Sequence, residues 1–282
     1  MSKRQILDWE EQWSFPAALA TLAAIGFVIA AIFVATQGIG STDGDAALLR
    51  EVDQHRGTQL LSAILQAIGV GLLAAPLYFL FRAAQRRSPQ VRGQLVGLVV
   101  VAPLFLAVLA ILSGLSTLEA ATDFVEMGVK GSGERANEIA ADTIADASLR
   151  PLAAGFGIGG QLGFVVAMFY TALQAMRVGL LPRFWGSLGM ALAAVSFIFF
   201  QFTLLWFVYL GILLIGRVPG GKPPAWPAGE AIPWPSPGEK VAADFSPEPD
   251  QEESSADRAL SPSDDSVEAT ERRKRKQRDQ SD

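Results

Sequence analysis

Unbroken apolar runs fill most of the first 216 residues, and they restrict this chain more than any other feature. A soluble core asks for apolar residues at helical or strand period. An uninterrupted run of about 18 or more is read as a bilayer span, because a hydrocarbon core ~30 Å thick takes about 20 residues at ~1.5 Å each. Such runs are Phe15–Ala35, Gln59–Phe81, Gln94–Leu118, Leu152–Met176 and Phe184–Ile215. The last covers 32 residues, about 48 Å as a helix, which is long for one crossing and short for two. Pro76 and Pro103 lie inside two of the runs. Spans tolerate them because neighbouring helices satisfy the freed carbonyl. The fold class predicted is all-α, a polytopic transmembrane helix bundle.

Before the first run stand Asp8, Glu10 and Glu11, and no small-x-small site follows it, so it reads as an uncleaved anchor rather than a signal peptide. Trp9 and Trp13, four apart on one helix face, read as interfacial anchors.

Charge sets the expected orientation. The connection from Arg82 to Arg92 holds Arg82, Arg86, Arg87 and Arg92 with no acid, and Arg177 and Arg183 flank the next such connection, again without one. Between Glu119 and Arg150 lie Glu119, Asp123, Glu126, Glu134, Glu138, Asp142 and Asp146 against Lys130, Arg135 and Arg150. The loop after the first run carries Asp43, Asp45, Glu51 and Asp53 against Arg50 and Arg56. Lys and Arg collect on the cytoplasmic side, so the basic connections are expected inside and the acidic loops outside. Arg217, Lys222 and the terminal run Arg272–Arg278 favour an inside tail. That requires six spans, with a turn near Phe199–Thr203. Five spans and an outside tail are the alternative.

The expected organisation is a cytoplasmic segment 1–14, a membrane domain 15–216 and a disordered cytoplasmic tail 217–282. The spans are placed at about 15–35, 59–81, 94–118, 152–176, 184–199 and 202–216. Ten of the sixteen prolines follow Gly216, and the Ser- and acid-rich stretch there has too few aliphatic residues to offset chain entropy. Between Glu119 and Leu149 the pattern predicts a loop and then a short amphipathic helix near the outer surface. A weak internal likeness lays Tyr78…Pro89…Gly93…Gly97 on Tyr170…Pro182…Gly186…Gly189, the kind of repeat transporter folds use.

Several chemistries are disfavoured. The chain has no cysteine, which removes disulfides, thiolate metal sites and cysteine nucleophiles. His55 is the only histidine, with no HExxH or G-x-S-x-G around any candidate base. Gly155-Phe-Gly157-Ile-Gly159-Gly160 has dinucleotide-fingerprint spacing, yet it lies inside an apolar run rather than after a strand. Gly155, Gly159 and Gly163 instead stack on one helix face, the pattern of close helix packing. No ionisable residue lies well inside a run; Ser62, Gln66, Ser113, Gln161, Ser196 and Gln201 are polar but neutral. Gln66 and Gln161 sit near mid-span, where they bond across helices or line a polar interior. Arg272, Arg273, Lys274, Arg275 and Lys276 suit either anionic inner-leaflet lipid or plain solvation. No basic folded surface suggests nucleic acid.

The segment Gly216-Arg-Val-Pro-Gly-Gly-Lys-Pro-Pro-Ala-Trp226-Pro-Ala-Gly-Glu230-Ala-Ile-Pro-Trp234-Pro-Ser236 and the turn Met176-Arg-Val-Gly-Leu-Leu-Pro-Arg183 resemble those of an uncharacterised family of bacterial multi-pass membrane proteins. The resemblance covers residues 15–236. It implies a high-GC Gram-positive plasma membrane and a domain of unknown function, and carries over no catalytic or ligand residue. Physically, the aromatic-proline run reads as a polyproline II segment along the interface, anchored by Trp226 and Trp234. The leading functional expectation is a non-enzymatic integral membrane protein, without cofactor or metal, acting by helix packing and partner contact. The alternative is a small-molecule transporter or permease-like protein. A polar cavity around Gln66 and Gln161 would favour the latter.

Overall fold

The structure is a computed structural model and describes residues 2–38, 44–131 and 133–234. It is helical throughout, with no strand among the described residues. The helices are α1 Lys3–Gly38, α2 Asp45–Gln54, α3 Arg56–Leu72, α4 Ala74–Arg87, α5 Val96–Glu126, α6 Glu134–Asp146, α7 Arg150–Arg177, α8 Arg183–Val195, α9 Thr203–Ile215 and α10 Ala225–Ala228.

Four helical stretches are long and apolar enough to cross a bilayer: Lys3–Gln37, Arg56–Arg87, Gly93–Glu126 and Arg150–Arg177. They coincide with the first four apolar runs. The second is α3 and α4 joined end to end at Leu73, whose N–H bonds the Val70 carbonyl 3.1 Å away in a tightened turn. Pro76 is the cause, because its ring clashes with the preceding turn and removes one donor. The fifth run breaks as its length suggests. α8 and α9 have 13 residues each, about 20 Å, and a 3-10 turn at Phe200–Phe202 lies between them.

The six helical columns pack in a ring: α1 on α3, α3 on α5, α5 on α7, α7 on α8, α8 on α9 and α9 on α1. Towards the arginine-rich end α4 enters this ring and touches α1, α5 and α7. There the core is dense, with Leu77, Leu80, Phe81, Phe164, Trp206 and Phe207 all fully buried. Outward-facing apolar side chains remain uncovered, among them Phe15 at 65%, Phe33 at 63% and Leu205 at 62% exposure. A bilayer solvates such a girdle, whereas water does not.

At the acidic end a second small core joins Leu49 and Val52 of α2, Ala120 and Phe124 of α5, and Ala136 and Ala140 of α6. The expected amphipathic helix is α6. Residues 119–126, expected as loop, instead continue α5, because Ala120, Ala121 and Phe124 provide an apolar stripe for α2 and α6. Asn137 accepts the Ala46 N–H at 3.0 Å, and Arg50 donates to the Val129 and Gly131 carbonyls.

The chain past α9 does not begin a tail at 217. Residues 217–234 fold back across the arginine-rich end, after Gly216 ends α9 in a left-handed conformation at φ 83°. This strap is not polyproline II throughout, since α10 forms around Trp226. Residues 235–282, and with them the rest of the expected disordered tail, lie outside the described residues.

Candidate functional site

Small residues bring the long helices together. A Cβ on Gly69 of α3 would lie 2.8 Å from the Ala24 carbonyl of α1, and one on Gly114 of α5 would lie 2.5 Å from the Ala63 Cβ. Between α5 and α7, a Cβ on Gly160 would meet the Phe105 Cβ at 3.0 Å and the Leu106 backbone at 3.1 Å. Gly163 also abuts Ala102, at 3.0 Å. Gly155 has open space around it, and Gly159 makes only an ordinary 3.8 Å contact with Phe105. Of the expected Gly155/Gly159/Gly163 stripe, only Gly163 therefore lies at a close helix approach. The buried line of α7 runs through Ala153, Gly160, Phe164 and Ala167, about 100° round the helix from Gly159.

Where those close approaches end, a cavity of 350 Å³ opens between α3, α5, α7 and the α8–α9 tip. Its polar lining comes from Gln59, Ser62, Gln66, Ser113, Thr117, Gln161 and Gln201, with no charged residue among the lining. The short hairpin creates it: α8 and α9 stop at mid-depth, so the ring is filled in one half and open in the other. Gln161 Nε2 donates to Ser196 Oγ at 3.1 Å, which holds the end of α8 beside the middle of α7. Ser62 Oγ donates to the Ala31 carbonyl of α1 at 2.9 Å, a bond between spans. Gln59 Nε2 is buried with no hydrogen-bond partner among the described residues, an unmet donor in the cavity wall. Both mid-span glutamines thus line one cavity, and Gln161 bonds across helices as well.

The sequence reading did not single out Gln59 and Thr117. The signal was present. Gln59, Ser62 and Gln66 follow an i, i+3, i+7 spacing, and Ser113 and Thr117 an i, i+4 spacing, so each set shares one face of its helix.

The arginine-rich end carries the other polar assembly. Arg87 and Glu10 form a two-pronged ion pair with both side chains buried. Arg87 Nη2 also donates to the Ala225 carbonyl of the strap at 2.9 Å. Trp226 is 4% exposed, and its indole N–H donates to the Leu180 carbonyl at 2.9 Å. Trp234 donates to the Leu181 carbonyl at 2.8 Å, and the Ile232 N–H to Val178 at 3.1 Å. These carbonyls follow the end of α7, where helical partners run out. Trp226 is thus no headgroup anchor; it fixes the strap to the bundle. Trp234, half-buried, binds there too. Trp9 stacks on Phe79 at 5.1 Å, and Trp13 stays 49% exposed. Burial beside Trp226 pushes the Lys222 amine below its usual range, which nearby Glu10 partly opposes.

Among the described residues no group of three or more His, Asp or Glu lies placed to hold a metal. His55 is exposed, with Nδ1 3.1 Å from the Glu51 carbonyl. The glycine cluster of nucleotide-fingerprint spacing is internal to α7. The basic run Arg272, Arg273, Lys274, Arg275 and Lys276 lies outside the described residues. Comparison with family models, with curated proteins and with solved structures finds no match to this chain.

Proposed function

We propose that this is a polytopic plasma-membrane protein that binds a small, uncharged polar solute in the cavity around Gln66 and Gln161, in the manner of a permease. The observation that carries this reading is the cavity itself: seven polar, neutral side chains in its wall and a buried amide donor on Gln59 without a partner. A bundle acting by packing alone gains nothing from such a void, since buried polar groups without partners cost free energy. The absence of charge in the wall favours a solute recognised by hydrogen bonds to amides and hydroxyls over an ion or a carboxylate.

The positive-inside rule supports a cytoplasmic arginine-rich end and an outer acidic end, so the cavity opens towards the outside. In this reading α8 and α9 form a re-entrant hairpin rather than two full spans. Non-helical backbone at membrane depth is tolerated where it lines a cavity, and the turn at Phe200 and Gln201 does so. Arg183 and Arg217 then lie on the same side, and the strap is cytoplasmic, as six spans would also have it. Partner contact without solute binding is the competing reading.

The absence of native cysteine makes the test direct. Gln66→Cys and Ser113→Cys should react with a small, impermeant, water-soluble thiol reagent applied to intact cells, and reaction should inhibit uptake or binding of an uncharged polar solute. A panel of sugars, polyols and nucleosides scored by thermal stabilisation of the purified protein identifies the class. If both cysteines stay unlabelled in cells and in detergent, the cavity is closed to water and the proposal fails.

A further inference from the structure

A second recess, of 640 Å³, lies between α1 and α4 at the arginine-rich end. Trp9, Trp13, Tyr78 and Phe79 form its apolar part, and among the described residues Arg82 and Arg86 are the only charged ones lining it. We infer that this groove binds the phosphodiester headgroup of an anionic phospholipid, with the acyl chains against Trp13, Pro16 and Tyr78.

Among the described residues the two guanidiniums have no acid of their own. Arg82 donates to the Tyr78 hydroxyl at 3.2 Å and to Gln85 Oε1 at 2.9 Å, both neutral acceptors. The Arg86 guanidinium carbon sits 3.5 Å from the Trp9 ring centroid, and its Nη1 is buried without a hydrogen-bond partner among the described residues. Glu10, the carboxylate that acts on Arg86, has both oxygens engaged by Arg87. Two adjacent cations are thus held in a partly desolvated groove with donors unspent, an arrangement that lacks an anion. Guanidinium forks match phosphate oxygens bidentately.

The groove also says which phosphate. Its wall keeps apolar surface open beside the arginines, with Trp13 49% and Tyr78 36% exposed and Pro16 exposed between them. A free inorganic phosphate uses none of that surface, whereas a lipid uses both parts. An indole such as Trp13, half exposed at the level of the arginines, suits the boundary between headgroup and acyl chain. This inference rests on the membrane reading and is independent of the solute cavity.

Native mass spectrometry of the full chain in neutral detergent tests it. Phosphatidylglycerol and phosphatidylcholine with identical acyl chains are titrated separately. Wild type should retain phosphatidylglycerol at least ~10-fold more tightly, and Arg82→Gln with Arg86→Gln should abolish that preference. Equal retention of both lipids by wild type overturns the assignment and needs no variant. An unchanged preference in the double variant also overturns it, and places the lipid contact elsewhere, for instance on Arg272, Arg273 and Arg275. Water-soluble glycerophosphate binding as tightly as the lipid would make this a soluble-anion site instead.

Discussion

Gln161 of α7 and Ser196 at the end of α8 share a hydrogen bond of 3.1 Å between residues 35 apart in sequence. Ser196 passes the interaction on by donating to the Ala193 carbonyl at 2.7 Å. Through this pair the tip of a half-length helix is fixed at mid-depth, and the empty half of the ring becomes the cavity. Gln161→Leu and Ser196→Ala should each lower stability by about 0.5–1 kcal/mol. The double variant should cost no more than the worse single one. Unfolding in mixed micelles reads the cycle, and strict additivity would refute the coupling.

The seam between α5 and α7 makes a second, sharper prediction. Gly160→Leu forces the Phe105–Leu106 backbone away and should lower the melting temperature by several degrees. Gly159→Leu starts from an exposed position with only an ordinary 3.8 Å contact to Phe105 and should stay near wild type. Fluorescence-detected size exclusion after heating distinguishes them, and equal sensitivity of the two variants would contradict the assigned face.

Breaking the buried ion pair is expected to be costly. Glu10→Ala leaves Arg87 charged in a site where its side chain has no exposure, at about 3–5 kcal/mol. Glu10→Leu with Arg87→Met should restore most of that stability, since a packed apolar pair replaces two desolvated charges. A double variant no better than Glu10→Ala would mean that the Arg87 bond to the Ala225 carbonyl matters more than the charge pair.

Orientation can be read with the same thiol chemistry. Gln90 and Glu138 are both exposed, at opposite ends of the bundle. In intact cells an impermeant reagent should label Glu138→Cys and spare Gln90→Cys. The reverse pattern would invert the topology and put the cavity mouth in the cytoplasm.

Much of this architecture is legible in sequence because the bilayer imposes one-dimensional rules. Run length gives the four long helices, Pro76 gives the break at Leu73, and the surplus length of Phe184–Ile215 gives two short helices instead of one. Rotation about each helix axis is another matter. Gly155, Gly159 and Gly163 and the neighbouring Gly160 offer competing small-residue faces, and only the partner's side chains choose between them. Pairings between distant segments carry no local signal either. Nothing near Glu10 points to Arg87, and a tryptophan beside prolines looks the same whether it meets headgroups or the carbonyls of Leu180 and Leu181. The cavity was half visible, as polar residues at helical spacing in otherwise apolar runs.

The strap imposes an order on biosynthesis. Arg87 and the Ala225 carbonyl it binds are 138 residues apart. At about 5–20 residues per second the ribosome needs roughly 7–28 s to make that interval. Once Leu180 is made, its carbonyl waits a further 46 residues for Trp226, with no strap across the basic end. A nascent chain stalled before Trp226 should therefore expose that end to proteases and quality-control factors, while one stalled after Trp234 has left the ribosome should be sealed.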